Sequence, residues 1–327
     1  MLKLGITKLN QLTSETLPQH RQVSGALLLA LERREDVPRR DELRQQIIRR
    51  LVLKNKTGKT TWEGRFADLD AWLGERLLRA YPEQLRVLDI GASDGTTSLE
   101  LFGTLSTHRN VTFVGSDLNR DIWVSNGPVW RDVIDDDGKL IQTTLGPLVV
   151  PITDAVHINP LLLLNRAVFY YCSAFRKDMR HRITAAEADA AGGSSAVRFS
   201  LLSPKVQDLA GRDPRFRFEK LNAFEIGGPA RFEFVRAMNV LNLNKDGFGF
   251  SQEQIADAAL GIREALVEGG RLLLGRSRPV GTGFEHHATL FLRSGDRLER
   301  EARYGNGSEV EDLVLSTDGA APNKEAA

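Results

Sequence analysis

The chain has 327 residues, with 44 Lys and Arg against 43 Asp and Glu, for a net charge of +1. That length holds one large α/β domain with appendages, or two domains. Such an even charge balance excludes a protein that is basic throughout and coats nucleic acid. The single cysteine, Cys172, excludes an intrachain disulfide framework and a cysteine-rich zinc site. No run reaches the ~18–20 apolar residues of a membrane span. The first fifteen residues, MLKLGITKLNQLTSE, lack the apolar core of a secretory signal. A reducing, cytoplasmic setting is expected.

No internal repeat appears at solenoid or propeller periods. Residues 1–82 read as an N-terminal helical region. Leu43, Ile47 and Leu51 follow Pro38 at helical spacing, and Phe66, Leu69, Leu73, Leu77 and Ala80 form a second apolar stripe. From Arg86 the pattern changes. RVLDIG (86–91) is a short apolar run ending in glycine, a polar turn follows, and LEL with Phe102 begins a helix. VTFVGSDL (111–118) is a second strand, so a parallel sheet with crossover helices is expected.

Between about 120 and 196 the alternation is lost, and the segment reads as an insertion after the second strand. It holds a hairpin around Asp137-Gly138, an apolar stretch from Leu161 to Phe175, and basic Arg176, Lys177, Arg180 and Arg182. Residues 159–182 are expected to form a lid helix packed on the protein, or else a peripheral contact with an anionic membrane. Alternation returns at VRFSLLS (197–203), FRFEKLNAFE (216–225) and RFEFVRAMNVLN (231–242). Ser251 and Gln254 have capping-box spacing. The helix they open is expected to end at Gly269-Gly270, before the strand RLLLGRS (271–277). ATLFLR (288–293) and RLEREAR (297–303) read as a closing antiparallel hairpin, and residues 318–327 as a disordered tail. The fold class expected is therefore α/β: a Rossmann-like, mostly parallel sheet over residues 83–317, interrupted by the insertion.

The informative stretch is VLDIGASDGTTS (87–98), a strand ending in Asp89 and then Gly91, Ser93 and Gly95. Ligands of open α/β sheets bind outside the carboxyl ends of the strands. A dinucleotide fingerprint needs glycine where Ser93 stands. That disfavours a nucleotide-cofactor oxidoreductase, and an acid just before the loop suits a cationic ligand better than a pyrophosphate.

DIGASDG resembles the first motif of the class I S-adenosylmethionine-dependent methyltransferases, a strand ending in an acid followed by a glycine loop. The resemblance covers roughly 86–118 and 197–305. It implies S-adenosylmethionine as cofactor, held by Asp89, Gly91, Ser93 and Gly95. It also implies that Asp117, closing the second strand, holds the ribose hydroxyls, and that Asn222 and the Ala223 amide meet the adenine. VRAMNVLN (235–242) is similar to a segment of the chemotaxis-receptor glutamate methyltransferases, and the similarity runs on to about residue 276. It adds Asn239 to the cofactor set but no substrate. The implied activity is methyl transfer to an oxygen or nitrogen nucleophile of a small molecule or protein. A non-catalytic binding protein of the same fold remains the alternative.

The residues name no catalytic group, no metal site and no oligomeric state. GlyLysThr (58–60) lacks the first glycine of a Walker loop. His286 and His287 are adjacent, so on a strand they face opposite sides and do not share a metal. Cys172, in apolar surroundings, reads as buried and inert.

Overall fold

A computed structural model describes residues 23–33, 39–51, 53, 61–106, 110–125, 130–145, 148–151, 167, 196–244, 249–281 and 283–317. The chain forms two compact units, Met1–Thr60 with Asn119–Pro204, and Thr61–Leu118 with Lys205–Ala327. Among the described residues no helix is long and apolar enough to cross a membrane.

The second unit is built on a seven-stranded sheet. Its parallel strands are β1 (Gln84–Ile90), β2 (Asn110–Asp117), β8 (Phe216–Lys220), β9 (Phe232–Met238) and β10 (Leu266–Val280). Strands β11 (Gly283–Ser294) and β12 (Arg297–Tyr304) form the antiparallel hairpin expected from the sequence, and the spatial order is β12-β11-β10-β9-β1-β2-β8. The chain runs outward from β1 through β2 to β8, then returns to the other side of β1 for β9 and β10. The order therefore reverses at β1, where open α/β sheets place their ligands. In β1, Leu85, Val87, Leu88 and Ile90 are all buried, as a central parallel strand covered on both faces requires.

Among its described residues this unit has the helices α3 (Ala67–Ala80), α4 (Thr96–Ser106), α5 (Pro204–Arg212, from Lys205 on), α6 (Gln252–Ala265) and the short α7 (Glu311–Leu315). Ile255, Ala258, Ala259 and Ile262 of α6 pack on Leu88, Val235 and Leu272 of the sheet. The reciprocal capping box of Ser251 and Gln254 starts α6. The helix ends at Ala265, earlier than Gly269-Gly270. Leu266 is already extended and pairs with Phe232, and the ladder then shifts register before Arg271. The two glycines form that irregularity, with Gly269 at φ 72°.

In the first unit an antiparallel sheet has the order β6-β5-β4-β3-β7. Its strands are β3 (Asp121–Ser125), β4 (Trp130–Asp135), β5 (Leu140–Leu145), β6 (Leu148–Pro151) and β7 (Ala196–Ser200). The Asp137-Gly138 turn joins β4 to β5 as expected, with Gly138 at φ 76°. Leu28, Leu31, Leu43, Ile47 and Ile48, from α1 (Leu27–Glu32) and α2 (Arg40–Arg50), share a core with Ile122, Val133, Ile141 and Phe199. Gly25 donates its amide to Gln142 Oε1 at 2.7 Å.

Two boundaries differ from the sequence reading. The region 1–82 does not stay together, because α1 and α2 cover the antiparallel sheet of the first unit while α3 belongs to the second unit. The strand read at 197–203 pairs with β3, not with the parallel sheet. The segment 159–182, Cys172, the 54–60 loop and the 318–327 tail lie outside the described residues, Ala167 excepted.

Candidate functional site

The ladder of β1 and β2 pairs Ile90 with Ser116, which brings Gly91 level with Asp117 at the carboxyl edge. There the chain makes a tight loop. Gly91, Ser93 and Gly95 have φ of 68°, 61° and 80°, all left-handed. Ala92 donates to the Ser116 carbonyl at 2.8 Å, and Gly95 to the Ala92 carbonyl at 2.9 Å. The Ser93 amide donates to Asp117 Oδ2 at 2.8 Å. A left-handed serine costs about 1–2 kcal/mol relative to ordinary backbone. The charge-assisted bond to Asp117 offsets that cost and fixes the loop to β2.

The outer glycines are required by protein packing. A β-carbon at residue 91 would lie 2.2 Å from Val240 Cγ2, and one at residue 95 would lie 2.9 Å from Val206 Cγ1. The loop can sit so close to the end of β9 and to α5 only because these positions carry no side chain.

Asp89 does not face the edge, contrary to the role expected for it. It is 2% exposed, and its carboxylate accepts from Arg236 Nε at 2.8 Å, Arg236 Nη2 at 2.6 Å and Ser98 Oγ at 2.6 Å. Arg236, 1% exposed, also donates to Asp70 Oδ1 at 2.9 Å and to the Thr97 carbonyl at 3.0 Å. Strands β1 and β9 and helices α3 and α4 thus meet on one guanidinium. Burial opposes the Arg236 charge, but Asp89 and Asp70 hold its pKa above the ordinary value. Burial, aided by repulsion from Asp89 and Glu100, pushes the Asp70 carboxyl up to about 7 against the pull of Arg236. Asp70 Oδ2 is buried without a hydrogen-bond partner.

The remaining expected residues share the carboxyl edge. Leu221 donates to the Asp117 carbonyl at 3.1 Å, which places Asn222 and Ala223 beside the end of β2. Asn222 forms an Asx turn: its Oδ1 accepts from the Phe224 amide at 3.2 Å, and its Nδ2 donates to Glu225 at 2.9 Å. Asn239, at φ 61°, clips β9 to β10. Its amide donates to the Gly275 carbonyl at 2.8 Å, and its Oδ1 accepts from the Ser277 amide at 2.7 Å.

Three features went unread in the sequence. Arg236 shares the side-chain parity of Phe232 and Phe234, and Asp70 lies beside the apolar stripe of α3. Each is a charge on a buried face, which demands a partner. Asp94, 0% exposed, accepts from the Thr96 amide at 3.0 Å through Oδ1, and its Oδ2 has no hydrogen-bond partner. Ser277 Oγ lies 2.8 Å from His286 Nδ1. His287 turns the other way, accepting from the Asn306 amide at 3.0 Å. Among the described residues no group of three or more His, Cys, Asp or Glu could hold a metal.

Neither a protein-family model nor a curated protein matches the chain. Solved structures do show a distant likeness. The amino pentose methyltransferase CalS10 from Micromonospora echinaspora, solved with S-adenosylmethionine bound, has a TM-score of 0.31 and 12% identity, over 79% of this chain and 81% of that one. A sarcosine dimethylglycine methyltransferase from Galdieria sulphuraria has a TM-score of 0.29 and 11% identity, over 64% of this chain and 47% of that one. The [4+2]-cyclase SpnF has a TM-score of 0.27 and 13% identity, again over 64% and 47%. The matched region thus spans about half the length of the last two proteins.

Proposed function

We propose that the protein binds S-adenosylmethionine and transfers its methyl group to an oxygen or nitrogen nucleophile on a small molecule or protein. The observation that carries this reading is the loop 91–95. It has three left-handed residues, lies where the strand order reverses, and is tied to the acid closing the next strand. The edge suits a ligand that is cationic at one end and carries hydroxyls at the other. Asp117 stands at the end of β2, and Asp94 holds a buried carboxylate oxygen that has no hydrogen-bond partner. Both groups are acceptors, as an ammonium and a vicinal diol require. Ala223 would contribute its backbone amide.

The cofactor supplies an activated methyl group with a good leaving group. The residues of this chain therefore need only bind, orient and exclude water. Asp89 acts from beneath, fixing the end of β1 and the start of α4 through Arg236 and Ser98. Asn222 and Asn239 shape the edge by holding their own turns.

A second reading is a protein of this fold that binds without turnover. Calorimetry with S-adenosylhomocysteine tests the binding common to both readings, with NADH as the control for an oxidoreductase. Labelled-methyl transfer into a cell extract separates them. No heat with S-adenosylhomocysteine at millimolar concentration overturns both, and label without acceptor-bound product overturns the enzyme.

A further inference from the structure

Folded proteins seldom leave large apolar side chains bare in clusters, so those that do mark binding surfaces. Among the described residues of the second unit the exposed large apolar ones are Trp62, at 47%, and Val280, at 57%. Val280 lies on the β10–β11 hairpin beyond the carboxyl ends of the parallel strands, and Trp62 packs against that hairpin. Val280 pairs with Gly283 and Pro279 with Phe284 across this hairpin. Trp62 packs on Phe284, with ring centroids 5.6 Å apart.

The aromatic set continues inward. Phe284 stacks on His286 at 6.4 Å and an interplanar angle of 12°, and His286 meets Phe66 at 5.2 Å. The Arg65 guanidinium lies over Phe284 at 4.7 Å and over Phe66 at 5.3 Å. The imidazole of His286 is pinned by Ser277 Oγ and by a hydrogen bond with the Arg65 backbone. Burial keeps this imidazole below its ordinary pKa, so at neutral pH it is an uncharged ring among rings. The set joins the cofactor edge directly, because the amide of Ser277 is bound by Asn239 Oδ1.

We propose that Trp62 and Phe284, backed by the pinned His286, form the acceptor site, and that the acceptor is a planar aromatic molecule bearing a hydroxyl or amino group. A flat ring gains from stacking on aromatic faces and guanidinium planes, which an aliphatic alcohol of the same polarity does not. The inference rests on the methyltransferase reading for the word acceptor, but the aromatic site itself stands apart from it.

The experiment is titration of the whole protein with 2-naphthol, using cyclohexanol as the non-aromatic control, in parallel with S-adenosylhomocysteine. Wild-type protein is expected to bind 2-naphthol at least tenfold more tightly than cyclohexanol. Trp62→Ala is expected to weaken naphthol binding at least fivefold while leaving S-adenosylhomocysteine affinity within twofold. Phe284→Leu, which keeps apolar volume, does the same and covers the case in which the first variant does not fold. Equal affinity for the two alcohols, or naphthol binding unchanged in both folded variants, overturns the proposal. Trp62-dependent naphthol binding without S-adenosylhomocysteine binding leaves the aromatic site standing and removes the methyltransferase reading.

Discussion

Replacing Asp70 by asparagine tests which force wins in the buried Asp70–Arg236–Asp89 cluster. Asp89 receives two N–H groups of Arg236 and the Ser98 hydroxyl, whereas Asp70 receives one N–H and leaves Oδ2 without a partner. Burial therefore outweighs attraction at Asp70, whose carboxyl titrates near 7 in place of its ordinary 3.8. Between those values the folded chain holds a proton that the unfolded chain has released. Stability then falls as pH rises through that window and levels off above about 7. At 1.36 kcal/mol per pH unit the whole window amounts to roughly 4 kcal/mol, and the part between pH 5 and 7.5 to about 2–3 kcal/mol. Asparagine has nearly the same shape and cannot ionise, so the variant lacks this fall. Urea unfolding of both proteins at pH 5, 6 and 7.5 cancels the groups they share. The stability difference is expected to move by about 2–3 kcal/mol in favour of the Asp70→Asn variant across that range. A difference that stays flat, or moves toward wild type, would show that the ion pair with Arg236 prevails and that Asp70 is charged throughout.

Arg236→Met leaves two buried carboxylates without their cation, and unfolding is expected to show a loss of about 3–5 kcal/mol at pH 8. Gly91→Ala drives a β-carbon toward Val240 at a left-handed position. It should cost about 2–4 kcal/mol in thermal or urea unfolding, and a second change, Val240→Ala, should recover all but the backbone share of about 1 kcal/mol. Asp117→Ala removes the acceptor of the Ser93 amide. S-adenosylhomocysteine should then bind about tenfold or more weakly in calorimetry, from the loss of a charged acceptor and a looser loop, while the circular dichroism spectrum stays unchanged.

Much of the parallel sheet was legible because its strands are buried on both faces and read as unbroken apolar runs bounded by glycine or acid, as in RVLDIG. The capping box at Ser251 and the turn at Asp137-Gly138 were legible for a similar reason: each is a local chemistry complete within four residues. What a helix covers is not local. The stripe of Leu43, Ile47 and Leu51 says that α2 has an apolar face, but the sheet it meets lies at least 70 residues further along the chain. The same holds for β7, whose β-branched and aromatic residues suit either sheet. Its antiparallel register with β3 decides the matter, and nothing in 197–203 encodes it.

The candidate site divides along the same line. The glycine loop and its acid at Asp117 were visible as a motif, because a strand, a tight turn and a helix start follow one another within a dozen residues. The direction of each side chain was not. Asp89 and Arg236 are 147 positions apart, and only the pairing of β1 with β9 puts them on one face. That pairing changes what a motif aspartate means here. A carboxylate held by a buried guanidinium and a serine hydroxyl cannot turn to a ligand without breaking three hydrogen bonds in a dry interior, where each is expensive to lose. Its contribution to binding therefore passes through the loop it supports. An Asp89 variant that lost affinity would thus report on the foundation of the site, whereas the same loss in an Asp117 variant, at the rim, would report on the site itself.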